Sequence, residues 1–188
     1  AGAQASGDEG EEPRAMLGRI RGEQNRAAEA AELASRYVER FPDGPGRDAA
    51  WLARARGSAG EAGLAAYRAL LKRAPDGEVA QIARFEAAER LAALGRGADA
   101  AKLYAQVIER APTSREAARA RYALAWNAWE AKDAAACERA LAPLVGDATV
   151  EPELRAAALE LAISAQLAQA RTREGLASWK ALAALGQD

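Results

Sequence analysis

A 37-residue echo runs along this chain and leaves few architectures open to it. Phe85, Tyr122 and Leu159 stand 37 apart, as do Ala87, Leu124 and Leu161, and Ala88, Ala125 and Ala162. Tyr67 and Tyr104, Leu71 and Ile108, and Pro75 and Pro112 carry the same spacing toward the N-terminus, and Tyr104–Leu141 and Val107–Leu144 carry it forward. A fixed period of this size marks stacked copies of one supersecondary unit, each too small to bury its apolar face alone.

Composition says that the unit is helical. Half of the residues are hydrophobic, yet aromatics make up only 5%, and alanine dominates the apolar set. Alanine, leucine, arginine and glutamate are strong helix formers. Large side chains are scarce, so the core has to form by close approach of small ones. Pro and Gly punctuate the pattern at Pro42-Asp43-Gly44-Pro45, Gly57-Ser58, Pro75-Asp76-Gly77, Gly95, Pro112 and Gly146. Between them lie helices expected over 14–41, 47–56, 61–74, 78–94, 98–111, from Thr113 or Ser114 to about Ala131, from Asp133 to about Gly146, from Glu151-Pro152 to about Ala170, and from Thr172 to Gly186. Thr113 or Ser114, Asp133 and Thr172 are the expected N-caps. No window alternates as a strand does.

Within each unit a small residue is followed four later by an aromatic or aliphatic one, with proline closing the unit. Ala30, Ala34, Tyr37 and Pro42 keep this spacing, as do Ala87-Ala88, Leu91, Gly95, Ala100, Tyr104, Val107 and Pro112. This resembles the tetratricopeptide repeat (TPR), whose unit is a pair of antiparallel helices. The resemblance covers five units, roughly 11–44, 45–77, 81–114, 118–150 and 155–187. Two departures stand out. Cys137 takes the small position of the fourth unit, and Glu174 falls there in the fifth. The resemblance implies an all-α, right-handed α-solenoid over 13–188. The small, polar, acidic opening over 1–12 reads from its composition as a flexible leader or as the start of a mature chain after processing. Small residues at Gly18, Ala88, Ala125 and Ala162 are expected where paired helices approach closely.

The stretches RYVERFPDGPGRDAAWLARA and LYAQVIERAPTSREAARARYALAWNAW further resemble bacterial envelope members of this superfamily. These are the outer-membrane assembly lipoproteins and the Tol–Pal-associated cell-division coordinators. That likeness implies a periplasmic or outer-membrane-associated scaffold and leaves room for a lipid anchor upstream of Ala1, with a cytoplasmic setting as the alternative. Arginine far outnumbers lysine, which with the alanine and glycine abundance reads as a GC-rich bacterial coding bias.

Several function classes lose their chemical basis. The 26 basic and 27 acidic residues leave a net charge of −1, without a basic footprint for nucleic acid. Histidine, the commonest general base and metal ligand, is missing. Cys137 is the only cysteine and reads as a buried small residue. No phosphate loop, metal-ligand cluster or ~20-residue apolar span occurs. The sequence therefore predicts no catalytic residue, cofactor or metal, and a protein partner in place of a substrate.

In this repeat family the first helix of each unit lines the concave groove, which takes a peptide or helix. The resemblance puts Arg119, Tyr122, Trp126, Trp129 and Glu130 there in the fourth unit, and Leu159, Ile163 and Gln166 in the fifth. Tyr122 shares its period with Phe85 and Leu159 and reads as core. Arg119, Trp126, Trp129, Glu130, Ile163 and Gln166 are the candidate partner-binding residues. Trp126 is either an exposed anchor or a packing residue. Arg47, Arg54, Arg56, Arg84, Arg119 and Arg121 are either clamps for a partner's carboxylates or a solvated face paired with nearby glutamates. Two other roles would suit such an array: a helical accessory domain of a peptidoglycan-cleaving enzyme, and a structural subunit of a large assembly.

Overall fold

The computed structural model describes Met16 and residues 26–185. Among them are nine helices: α1 (Ala27–Arg40), α2 (Arg47–Gly57), α3 (Gly60–Arg73), α4 (Glu78–Ala93), α5 (Gly97–Arg110), α6 (Arg115–Glu130), α7 (Ala134–Val145), α8 (Pro152–Ala168) and α9 (Thr172–Leu185). No described residue lies in a strand. The expected acidic leader, the small residue Gly18 and most of the first expected helix lie outside the described residues.

The local chemistry of the helix ends matches the expected punctuation. Ser114 accepts a hydrogen bond from the Ala117 amide at 3.1 Å and Asp133 from the Ala136 amide at 2.8 Å. Each satisfies a backbone donor that the first helical turn leaves unpaired. Pro152 opens α8, where its missing N–H costs nothing. Gly95 follows α4 with φ +74°, a left-handed conformation that a side chain would strain.

The helices fall into two compact units, one ending at Leu94 and the other beginning at Gly95. In the first, α1 packs on α2, α2 on α3, and α3 on α4. Met16, Leu33, Ala34, Tyr37, Val38, Ala50 and Ala53 form one cluster, with Phe41 and Trp51 at its edge. Small residues set the spacing. A Cβ on Gly57 would come within 2.2 Å of the Ala31 Cβ and 2.4 Å of the Ala27 carbonyl oxygen, so glycine alone fits where α2 meets α1. Across α2, α3 and α4, the Tyr67 hydroxyl donates to Glu86 at 3.0 Å, and Arg56 Nε donates to the same carboxylate at 3.0 Å.

In the second unit α5 packs on α6, α6 on α7, α7 on α8 and α8 on α9, and α6 also meets α8. Ala125, Cys137, Leu141, Leu144, Ala158, Leu161, Ala162 and Ala165 form its main cluster. The second helix of each hairpin carries the same triplet of small, large and aliphatic residues. It is Gly63, Tyr67 and Leu70 on α3, then Ala100, Tyr104 and Val107 on α5, then Cys137, Leu141 and Leu144 on α7. All nine are buried.

The fifth unit corrects the expectation at Glu174. That side chain is 47% exposed, and Gly175 is the buried small residue of α9. The cause is one extra residue in α8, which has 17 where α6 has 16. The period therefore slips from 37 to 38 and the triplet becomes Gly175, Trp179 and Leu182. Gly175 sits where an added Cβ would meet Leu167 at 3.2 Å.

Candidate functional site

α6 and α8 are the first helices of two successive hairpins, and a cleft of about 240 Å³ opens between them. Tyr122, Trp126 and Trp129 line it from α6, and Ala157, Glu160, Leu161 and Ser164 from α8. The α6 residues follow i, i+4, i+7 and so form one stripe. Trp126 is 45% exposed. Trp129 and Tyr122 are half-buried, each with one side against the cluster beneath. Burial raises the Tyr122 phenol pKa, and the charge of Glu160 raises it further. The Ser164 hydroxyl donates to the Glu160 carbonyl at 3.1 Å, one turn back along α8. The cleft thus offers π-faces, one carboxylate and a hydroxyl.

Trp126 and Trp129 line one cleft, and the other candidates are not among its lining residues. Arg119 and Glu130 are exposed on α6 and do not line the cleft. Ile163 is half-buried and also absent from the lining. Gln166 is only 8% exposed, and both ends of its amide are engaged. It donates to Glu138 at 3.1 Å and accepts from Ser178 at 2.9 Å. Ala157, Glu160 and Ser164 were missed for a geometric reason. Two helices related by translation meet through opposite flanks, a heterologous contact. Adding one period to Trp126 or Trp129 finds the equivalent flank on α8, not the facing one.

The arginines also divide differently from the two alternatives read in sequence. Arg56 pairs with Glu86, and Arg47 pairs with Asp43 at 2.9 Å. The Arg54 guanidinium stacks 5.0 Å from the Trp51 ring centroid. Arg84 is buried and donates to the Pro75 carbonyl; Arg121, one period later, donates to the Pro112 carbonyl at 2.8 Å. These two place positive charge just past a preceding helix's C-terminus, where the helix dipole favours it.

Other hollows are lined by groups that satisfy one another. One of about 380 Å³ lies near the start of α6, where Arg115 pairs with Glu151 at 2.8 Å and Asp147 accepts from Thr149. A polar one beside Tyr67 is edged by the Arg56–Glu86 pair and by Glu89 and Arg90. Among the described residues no group of three or more Asp, Glu or Cys is placed to hold a metal ion, and no helix is long and apolar enough to cross a membrane.

Cys137 is fully buried, and burial raises its thiol pKa, with the charge of Glu138 adding to the effect. A thiol held protonated and out of solvent is a poor nucleophile. A disulfide reagent at pH 8 is therefore expected to leave the native protein unmodified and to titrate one thiol once urea unfolds it. Rapid modification of the native protein would contradict this placement.

The sequence matches no protein-family model and no curated protein. Among solved structures it is similar to the nearly identical TPR-like repeats of a kinesin-light-chain-like protein from Podosopora anserina. The TM-score is 0.63 at 17% identity, over 94% of this chain and 97% of that one. At that identity the likeness speaks to fold alone, and the fold it shows is an all-α solenoid of TPR-like helical hairpins.

Proposed function

We propose that this chain is a non-catalytic protein-interaction scaffold that holds a segment of a partner against the cleft between α6 and α8. The observation that carries the reading is the exposed Trp126 ring beside half-buried Trp129 and Tyr122 on one helix face. Large rings partly held by packing lose little freedom on binding, which is why Trp and Tyr supply interface hot spots. Arg119 and Glu130 flank the stripe on α6 and extend it along the helix. Ile163, one period after Trp126, is half-buried on α8. Gln166 acts from beneath, through its bonds to Glu138 and Ser178.

The chemistry of the lining favours an apolar side chain next to a lysine or arginine. The apolar group fills the aromatic cleft, while the cation meets Glu160 and the indole faces. A peptide library displayed on phage tests this. Wild-type protein is expected to enrich apolar–basic segments, and Trp126→Ala to weaken their binding by about 2 kcal/mol or more. The same substitution should change folding free energy by no more than ~0.5 kcal/mol, as expected for an exposed residue away from special features. Selected peptides that bind the variant as tightly as wild type would refute the site.

A cell-envelope setting rests on the resemblance of the repeat junctions. Fractionation of the source cells with an antibody to the chain tests it, and recovery in the cytosol would remove it.

A further inference from the structure

The α6–α8 cleft carries an imbalance of charge. Glu160 is the one charged residue in its lining, and no arginine or lysine joins it there. Among the described residues no cation forms an ion pair with Glu160 either. Its charge is felt inside the cleft, since it raises the pKa of the Tyr122 phenol beyond what burial does. Tyr122, Trp126 and Trp129 bring three rings to the same space, and an aromatic face carries negative charge density. A hollow of about 240 Å³ with an unbalanced carboxylate and three rings is selective for a cation.

Which cation it suits follows from the hydrogen bonds on offer. A lysine ammonium brings three N–H donors and an arginine guanidinium five. Ring faces accept no ordinary hydrogen bond. The Ser164 hydroxyl has committed its proton to the Glu160 carbonyl, and the Glu160 carboxylate is the only charged acceptor. A primary ammonium drawn into the cleft gives up water that the lining does not replace, and an unsatisfied donor is costly to bury. A quaternary ammonium has no N–H to satisfy. Its charge is spread over methyl groups, which pack on the rings and on Leu161 as apolar groups do. Trimethylation of a lysine therefore removes the unmet donors and keeps the charge.

We propose that the cleft selects a quaternary ammonium cation, presented as a trimethylated lysine in the bound partner segment. This rests on the reading of the cleft as the partner site and names the group that the site prefers. The sequence supplies no such lysine of its own to the cleft: Lys72, Lys102, Lys132 and Lys180 all lie among the described residues, and none is in the lining.

Two titrations test this. In the first, tetramethylammonium chloride is added to the isotope-labelled protein, with ammonium chloride at equal ionic strength as the control. The Trp126 and Trp129 indole N–H resonances are expected to shift saturably with tetramethylammonium and not with ammonium. The Trp179 indole, 56% exposed on α9 and outside the cleft, should not move. Glu160→Gln keeps the shape and should weaken binding about threefold, as for one exposed charge. In the second, calorimetry compares one phage-selected peptide in three forms, carrying lysine, trimethyl-lysine or the neutral tert-butyl isostere of trimethyl-lysine. The trimethyl form is expected to bind about tenfold tighter than either of the others. Equal affinity for lysine and trimethyl-lysine overturns the inference and leaves the apolar–basic reading standing. Equal affinity for trimethyl-lysine and its isostere also overturns it, because apolar contact then accounts for the binding. If no peptide is selected, the partner reading fails on its own test. Tetramethylammonium binding would then mean a free small cation and overturn the lysine source, and its absence would overturn the cation site itself.

Discussion

Tyr67→Ala is expected to cost about 3–5 kcal/mol of folding free energy, the range for emptying a buried aromatic site. The ring is 2% exposed, and its hydroxyl joins Glu86 and Arg56 in a link that ties α2, α3 and α4 together. Tyr67→Phe keeps the ring and removes only the bond, so its cost should be nearer 1.5–3 kcal/mol, as for a hydrogen bond to a charged group. The phenol also sets a pH dependence. Burial raises its pKa above the usual tyrosine range, and the Glu86 charge raises it further. The folded state therefore holds this proton more tightly than the unfolded state does. The resulting stability is fully present below the unfolded value of about 10 and is lost as pH rises beyond it. Burial acts in the same direction on Tyr37. Urea unfolding at pH 8 and pH 10.5 should show a drop for wild type and a smaller drop for Tyr67→Phe. Equal drops would mean that the Tyr67 phenol is not held buried beside Glu86 in solution.

Tyr104 and Trp179 occupy equivalent places on α5 and α9, and their alanine variants should behave very differently. Tyr104→Ala is expected to lose about 3–5 kcal/mol, because the ring is 3% exposed. For a chain of this length each kcal/mol moves the melting temperature by roughly 2–4 °C, so the midpoint should fall by about 10 °C. Trp179→Ala removes a larger side chain yet should cost only about 0.5 kcal/mol, as at other exposed positions. Far-UV circular dichroism during chemical unfolding measures both. A large loss for Trp179→Ala would show that the α9 face is already covered in the isolated protein.

The helices were legible because proline, glycine and capping residues mark their ends in the sequence itself. Ser114, Asp133 and Pro152 act through their own backbone neighbours, so no tertiary information was needed to place them. The buried triplets were legible while the period held. The single residue added to α8 moved the small position from Glu174 to Gly175, and nothing local to α9 announces that insertion. The cleft was half legible. Trp126 and Trp129 follow from the stripe on α6, but Glu160 and Ser164 depend on which flank of α8 faces it. Arg84 and Arg121 read as surface charges for a related reason. Their carbonyl partners lie nine residues back, across a turn, and only the folded chain brings them together.

Alanine is the commonest residue in the core, filling positions such as Ala34, Ala50, Ala88, Ala125 and Ala165 that have almost no exposed surface. This has a consequence at the level of the gene. Single-base changes in an alanine codon yield valine, threonine, serine, proline, aspartate, glutamate or glycine. All but the last add atoms, and a helix seam already at contact distance resists added atoms. Most cores are damaged by substitutions that leave a hole. Here the commonest one-step mutation pushes two helices apart, so inherited variation in this chain should be purged for bulk more than for loss.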